Sequence, residues 1–104
     1  MSFEIFVMPR AEADLRKSTR WWAENRSLEQ ATRWWDGIFA AIQTLRTESG
    51  RCPLARENRK HPYEIRELHF GLAARPTHRV LFTLRDNTVV ILTVRHVAQD
   101  DWDG

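Results

Sequence analysis

Several residue types are scarce in this chain of 104 residues, and each scarcity narrows the class of protein. The chain has a single cysteine, Cys52, so a scaffold stabilised by internal disulfides is excluded. No apolar run approaches the roughly 20 residues that a membrane-spanning helix needs. The opening stretch MSFEIFVMPR lacks a basic leader and a small-residue cleavage site, so it does not resemble a secretory signal. These observations favour a cytoplasmic protein without a membrane segment.

The length and composition are those of one globular domain, which we expect to span residues 1–104. A chain of this size can bury one hydrophobic core but hardly a second. Hydrophobic residues make up 42% of the chain and charged residues 29%, which are values near the globular average. We therefore expect a soluble, folded protein.

The net charge of +2 is spread unevenly along the chain. Residues 51–96 hold nine basic and four acidic side chains, whereas residues 97–104 hold three acidic side chains and no basic one. Clustered Arg and Lys attract phosphate groups or acidic peptides. The asymmetry favours an anionic partner, and an ordinary solvated basic surface is the alternative.

A strand and two helices are predicted in the first half of the chain. The β-forming residues of Phe3–Met8 predict the strand, and Pro9 suits the first turn of a helix that runs to about Asn25. The segment SLEQ, which begins at Ser27, has the pattern of a capping box and predicts a second helix that ends near Glu48. Because only a couple of residues join them, the two helices should pack as an antiparallel hairpin.

Two tryptophan pairs, one in each predicted helix, mark the contact between the helices. Neighbouring helical positions point about 100° apart, so each pair can place one indole in the core and one at its margin. We expect Trp22 and Trp35 to point inward. The marginal indoles either pack between the helices or form a surface that binds another chain.

The second half of the chain predicts three strands. A polar, basic loop over Gly50–Pro62 precedes a strand at Tyr63–Phe70, and a hairpin follows over Thr77–Arg95 with its turn at Asp86 and Asn87. The predicted fold is therefore α+β, with the order β-α-α-β-β-β. The helical hairpin should cover one face of a small, mostly antiparallel sheet and leave the other face open.

Uninterrupted pairing across the hairpin sorts its side chains between the two faces. The face expected to remain open presents Arg79, Leu81, Leu92 and His96. The rim of the packed face presents His78 and Arg95. An arginine beside a histidine on an open face can bind phosphate or carboxylate and adds a group that titrates near neutral pH. A surface salt bridge is the simpler interpretation.

Several short motifs occur in an order that resembles the RelE/ParE toxin superfamily of bacterial type II toxin–antitoxin systems. The matching positions are Pro9 with Ala11, Asp14-Leu15, Arg66-Glu67-Leu68, the strand opening His78-Arg79-Val80-Leu81-Phe82, and Val94-Arg95-His96. The resemblance covers nearly the whole chain. It implies a toxin, of the kind found in plasmid stabilisation systems, that is held inactive by a small antitoxin bound to its open surface.

The superfamily divides by target, so the resemblance leaves two toxic functions open, and a non-toxic domain that only binds a partner is a third possibility. RelE-like members cut messenger RNA on the ribosome, and here Arg79, Arg66 and His96 would be the catalytic residues. Their further basic or tyrosine residues after the last strand are replaced here by VAQDDWDG, whose acids would repel RNA. ParE-like members inhibit DNA gyrase without known catalysis, and we favour this branch. Whether the protein is an enzyme is left open.

The resemblance implies an antitoxin as the partner. We expect it to contact the basic side chains of the second half of the chain and the apolar side chains of the open sheet face. The residues predicted to bind it are Arg66, Arg75, Arg79, Leu81, Leu92 and Arg95. An acidic peptide with apolar anchors would complement such a surface. No cofactor and no metal site is expected.

Overall fold

The element order agrees with the α+β prediction of a strand, a helical hairpin and three further strands. The structure, a computed structural model, describes residues 2–104. Its elements are β1 (Glu4–Val7), α1 (Pro9–Asn25), α2 (Leu28–Gln43), a short α3 (Leu45–Glu48), β2 (Arg66–Phe70), β3 (His78–Arg85) and β4 (Thr88–His96). Two 3-10 turns, Ser49–Arg51 and Arg56–Lys60, lie in the segment before β2.

The four strands form one sheet in the order β1-β4-β3-β2. β1 runs parallel to β4, and the other neighbouring strands are antiparallel. The predicted strand at Tyr63–Phe70 is shorter than expected, since β2 begins at Arg66. β3 and β4 are the two interior strands, so both of their hydrogen-bonding edges are occupied.

The helical hairpin packs on one face of the sheet and forms the main core. Pro9 lies in the first turn of α1, and the Ser27 hydroxyl accepts a hydrogen bond from the backbone N–H of Gln30 at 3.0 Å, as the capping pattern predicts. The core cluster of this face includes Leu15, Trp34, Ile38, Ile42, Val80, Phe82, Val89 and Ile91. The apolar stripe of each helix is therefore buried against alternate residues of β3 and β4.

The inward tryptophan of α2 is Trp34, so the prediction of Trp35 is wrong. Trp34 is fully buried, whereas Trp35 is half-buried beside Phe39. Both positions fit the helical repeat of the apolar residues, and tertiary packing decides between them. The Trp34 indole packs against the rings of Phe70 and His78, with centroids at 6.4 and 5.0 Å.

A β-bulge between β3 and β4 changes which side chains share a face. The predicted register holds from the turn, where Arg85 pairs with Thr88, as far as Phe82 opposite Ile91. The next pair is Leu81 with Thr93, so one extra residue lies in β4. Beyond the bulge, Arg79 pairs with Arg95 and His78 pairs with His96. The uninterrupted pairing expected from the sequence, which would set Arg79 opposite Val94, is therefore wrong at this end of the hairpin, because one inserted residue reverses the side on which each later side chain lies.

The Asp14 carboxylate of α1 binds the backbone beside this bulge. Its Oδ2 accepts hydrogen bonds from the Thr93 hydroxyl at 2.5 Å and from the Val94 backbone N–H at 3.1 Å. A buried N–H without a partner would cost about 1–3 kcal/mol. Asp14 therefore ties the first helix to the last strand at the point where the register shifts.

Replacing Asp14 by alanine should destabilise the protein by about 2 kcal/mol, because the Val94 N–H and the Thr93 hydroxyl both lose their acceptor. Urea unfolding followed by circular dichroism measures the change. The control is Glu12→Ala on the same helix, whose exposed pair with Arg16 at 2.9 Å should contribute about 0.5 kcal/mol or less. Equal losses in the two variants would contradict a special role for Asp14.

Candidate functional site

The sheet face opposite the helices is covered, so the prediction of an open face is wrong. Leu81 is fully buried, and Arg79 and Leu92 are 3% and 9% exposed. A second, smaller core covers them, and its buried members are Ala55, Ile65, Leu81, Leu92 and Trp102. The segment before β2 and the end of the chain together supply this cover.

A buried ion pair lies at the centre of the covered face. The Arg79 guanidinium binds both carboxylate oxygens of Glu57, with Nη1 to Oε1 at 2.7 Å, and the two side chains are 3% and 0% exposed. Glu67 adds a second carboxylate at 3.3 Å from Nη1. Glu67 interrupts the apolar alternation of β2, and this contact gives its polar side chain a partner. The positive charge of Arg79 is therefore fully compensated within the chain.

The acidic end of the chain closes over this pair. The Trp102 backbone N–H donates to Glu57 Oε2 at 2.9 Å, and the Trp102 indole stacks on His61 with centroids 5.2 Å apart. Asp101 pairs with both Arg56 and Lys60. The acidic tail thus neutralises part of the basic segment that the sequence suggested for an external partner.

The environment of Glu57 keeps this carboxyl group ionised. Its burial alone would raise the pKa, but hydrogen bonds from Arg79 and from the Trp102 backbone outweigh that effect and lower the pKa to about 2. Hydrogen bonding to Glu57 also raises the pKa of Arg79. The pair is consequently charged on both sides at neutral pH.

The three residues predicted as a nuclease site are not assembled. Arg66 lies on the helix-facing side of β2, where it donates to the Cys52 carbonyl and pairs with Glu64. Arg79 points to the opposite face. His96 pairs across the strands with His78 beyond the bulge. The expectation that Arg79 and His96 project together is wrong, because the bulge places them on different sides.

The six residues predicted to bind a partner differ in their exposure. Arg75 is exposed in the loop before β3, and Arg66 and Arg95 are half-buried. The buried members are Arg79, Leu81 and Leu92. Among the six, Arg66, Arg75 and Arg95 retain exposed surface for direct contact with another chain, and their role remains a prediction.

A groove of about 470 Å³ lies between α1 and the adjoining ends of β3 and β4. His78 forms part of its wall, with Nε2 at 3.1 Å from the Ser18 hydroxyl and Nδ1 at 2.8 Å from the Thr77 hydroxyl. Burial, and then the charge of nearby His96, lowers the pKa of His78 to about 4. His78 is therefore uncharged at neutral pH.

His96 lies beside His78 in the same groove, with ring centroids 5.3 Å apart. Its Nδ1 accepts a hydrogen bond from the Ala98 backbone N–H at 3.0 Å, so the neutral ring carries its proton on Nε2. The bulge brings the two rings together, since the predicted register would have separated them. Sequence reasoning identified both histidines but assigned them to opposite faces.

Glu57 and Trp102 are the residues that sequence reasoning missed. Glu57 lies in a segment that reads as a polar loop, and Trp102 lies in an acidic tail. Each is an exception within its segment: a lone carboxylate among basic residues and a large aromatic ring among acids. Such exceptions, together with an inward arginine on β3, are the signal that could have predicted a second covered face.

The described residues were also compared with the requirements of a metal site and of a membrane-spanning helix. Residues 2–104 contain no group of three or more His, Cys, Asp or Glu side chains placed to hold a metal ion. None of the helices formed by these residues is both long and apolar enough to cross a bilayer.

The chain belongs to the ParE toxin family of type II toxin–antitoxin systems, named for parDE, whose model matches residues 5–101. The match extends from β1 into the acidic tail, so it includes both faces of the sheet. No curated protein sequence is similar enough to count as a relative.

Two solved structures of toxin–antitoxin systems resemble the fold. The chromosomal ParDE system of P. aeruginosa contains a chain with 18% identity and a TM-score of 0.73, covering 92% of this chain and 97% of that one. The RelBE2 toxin–antitoxin complex of Mycobacterium tuberculosis contains a chain with 27% identity and a TM-score of 0.48, covering 92% and 99%. The first of these supports the fold.

The low pKa of Glu57 predicts a loss of stability in acid. In the unfolded chain this carboxyl returns to its ordinary pKa of 4.5, so the unfolded state takes up a proton first as the pH falls. The stabilisation is complete above pH 4.5 and is lost between pH 4.5 and about 2, and it amounts to roughly 3 kcal/mol. Denaturant unfolding at a series of pH values measures it.

Glu57→Gln is the variant that tests this assignment. It should be less stable at pH 7 and should show a shallower decline between pH 4.5 and 2, since it lacks the titrating group. Glu12→Gln, which changes an exposed carboxylate, should keep the decline of the parent. A decline of the same steepness in Glu57→Gln would show that another carboxyl group is responsible.

Proposed function

We propose that this ParE-family toxin inhibits DNA gyrase and is neutralised by a cognate antitoxin. The family match over residues 5–101 supports a toxin of a toxin–antitoxin system. The observation that carries the choice of target class is the compensated charge of Arg79, which two carboxylates surround. Since gyrase acts on DNA in the cytoplasm, the toxin would act there.

Arg79 does not have the surroundings that cleavage of RNA requires. Attack of a 2′-hydroxyl on the adjacent phosphate needs a cation at the developing charge and an acid and a base nearby. Arg79 is 3% exposed and bound to Glu57, and neither Arg66 nor His96 lies on its face. An inhibitor that acts by binding a protein needs no such alignment, and this difference favours gyrase inhibition over the nuclease alternative.

A supercoiling assay tests the proposed target. Purified toxin titrated into gyrase with relaxed plasmid should abolish supercoiling and accumulate cleaved DNA at about micromolar concentration, an ordinary affinity for a specific protein complex. Addition of the antitoxin should restore supercoiling. Unchanged supercoiling together with cleavage of ribosome-bound messenger RNA would overturn the proposal.

The double variant E57L/R79M separates the two activities within this test. Replacing a buried ion pair by apolar residues of similar volume is often neutral for stability, whereas removing one partner is not. The variant loses the acceptor of the Trp102 N–H, which costs about 1–3 kcal/mol, but it leaves neither charge of the ion pair buried alone. Where circular dichroism shows that it is folded, it should inhibit gyrase within about twofold of the parent. An Arg79-dependent nuclease would lose roughly 100-fold or more in rate, as enzymes do when a charge-stabilising donor is removed.

The antitoxin contact is proposed to use the arginines that remain accessible. Arg75 and Arg95 lie at the end of the sheet where β3 begins and β4 ends, and Arg66 lies on the edge strand β2. An acidic antitoxin segment would associate faster with these groups and would bind in a defined register. These are the usual effects of charge pairs at the rim of an interface.

Arg75→Glu should weaken antitoxin binding about fivefold, mainly through slower association. The matched control is Arg85→Glu at the opposite end of the same hairpin, which is also exposed and should change binding less than about twofold. Surface plasmon resonance at two salt concentrations measures both rates. If Arg85→Glu weakened binding more than Arg75→Glu, the antitoxin would dock at the turn end of the sheet.

A further inference from the structure

The groove between α1 and the ends of β3 and β4 combines side chains that inhibition of a protein target does not require. It holds exposed indole surface, the unpaired cation of Lys17 and the imidazole rings of His78 and His96 in about 470 Å³. Volumes of this size are typical of sites for small organic ligands. Arg79 lies on the opposite face of the sheet, so His96 is the one predicted nuclease residue that this groove contains.

We propose that this groove binds a nucleoside phosphate, either as a free nucleotide or as one unit of a single-stranded nucleic acid. The base would stack on the tryptophans of α1, and the phosphate would bind the cations at the rim. Each part of the ligand is matched by a separate feature of the wall.

The aromatic part of the site is formed by Trp21 and Trp22. Trp21 is 48% exposed, and Trp22 is half-buried with its ring perpendicular to that of Trp21 at 5.4 Å. The Arg26 guanidinium lies 5.5 Å from the centroid of Trp21, within the range of a cation–π contact. Exposed indole surface is a stacking platform that accepts any base, because every base has a flat π-face.

The phosphate part of the site is formed by Lys17 and Arg10. Within residues 2–104, Lys17 makes no ion pair, whereas Arg95 pairs with Arg79 across the strands and its guanidinium donates to the carbonyl of Asp100. Arg10 pairs with Asp14, the carboxylate in this groove, whose other oxygen is occupied by Thr93 and the Val94 N–H. Two cations, Lys17 and Arg10, against the single carboxylate of Asp14 leave the rim with a net positive charge.

The spacing along α1 relates the two parts of the site. Lys17 and Trp21 are four residues apart on one helix, which places their Cβ atoms about 6 Å from each other on the same side. A nucleotide likewise carries its phosphate and base on adjacent sides of one sugar. His96 Nε2–H adds a donor near them, and neutral His78 adds no repelling or attracting charge.

An acidic peptide is a weaker fit for this groove. Peptides that bind a sheet gain much of their affinity from backbone hydrogen bonds to a free strand edge. β3 and β4 are interior strands, so the strands that line the groove offer no such edge. The combination of flat aromatic surface and cations favours a ligand that is itself flat and anionic.

Isothermal titration calorimetry of the full chain with 5′-AMP tests the proposal. We expect saturable binding of one AMP, with adenosine and with inorganic phosphate each at least about tenfold weaker, since each retains only one of the two contacts. Lys17→Glu should weaken AMP binding about tenfold, and Trp21→Ala by a similar factor. Circular dichroism establishes that each variant is folded.

Arg20→Glu is the matched control, because it reverses the same charge on the same helix but lies against the separate surface formed with α2. It should change AMP binding less than about twofold. A short single-stranded oligoadenylate distinguishes the two sources of the ligand. Binding about tenfold tighter than that of AMP would identify a nucleic-acid strand, and equal or weaker binding would identify a free nucleotide.

The proposal is overturned if neither AMP nor the oligonucleotide binds at about 1 mM, the weak limit of a specific small-ligand site. It is also overturned if Lys17→Glu and Arg20→Glu have equal effects, or if an Asp/Glu-rich peptide binds here and AMP does not displace it. AMP binding and inhibition of supercoiling are measured in separate assays, so the two proposals can fail separately.

Discussion

The ion pair between Glu57 and Arg79 is the interaction on which the second face of the sheet depends. It joins β3 to the segment before β2, and Glu57 also accepts the backbone N–H of Trp102. Three parts of the chain therefore meet at one carboxylate. A buried pair of this kind adds little stability relative to apolar residues, but loss of one partner leaves an uncompensated charge. Because Arg79 is buried and bound to Glu57, its guanidinium has no free surface for a phosphate.

The bulge in β4 has a comparable effect on the helix-covered face. One extra residue brings His96 beside His78 and moves Arg95 to the side of Arg79. Asp14 binds the backbone next to the irregularity, so the position of the bulge is tied to α1. A single inserted residue thus creates the histidine-lined groove and separates the groups that a nuclease would need together.

Much of the fold could be predicted from the sequence because its signals are local. Pro9 and Ser27 mark helix starts, the apolar repeat marks the buried stripe of α2, and Asp86 with Asn87 marks the turn. The bulge has no local signal, since Leu92 continues the apolar pattern of β4 without interruption. The cover of the second face depends on contacts between distant segments, such as Trp102 with His61. The candidate sites lie where these non-local contacts occur, so they were predicted least well.

The parallel pairing of β1 with β4 has a consequence for synthesis of the chain. Glu4 pairs with Thr88, so the first strand has no sheet partner until nearly the whole chain has left the ribosome. Until then, the helical hairpin can form by local contacts, but its apolar stripe has no sheet to cover. Sheets completed by such distant pairings fold slowly compared with helical bundles. The pairing that completes the sheet can therefore form only after β4 has been synthesised, and the apolar stripe of the helices remains uncovered until then.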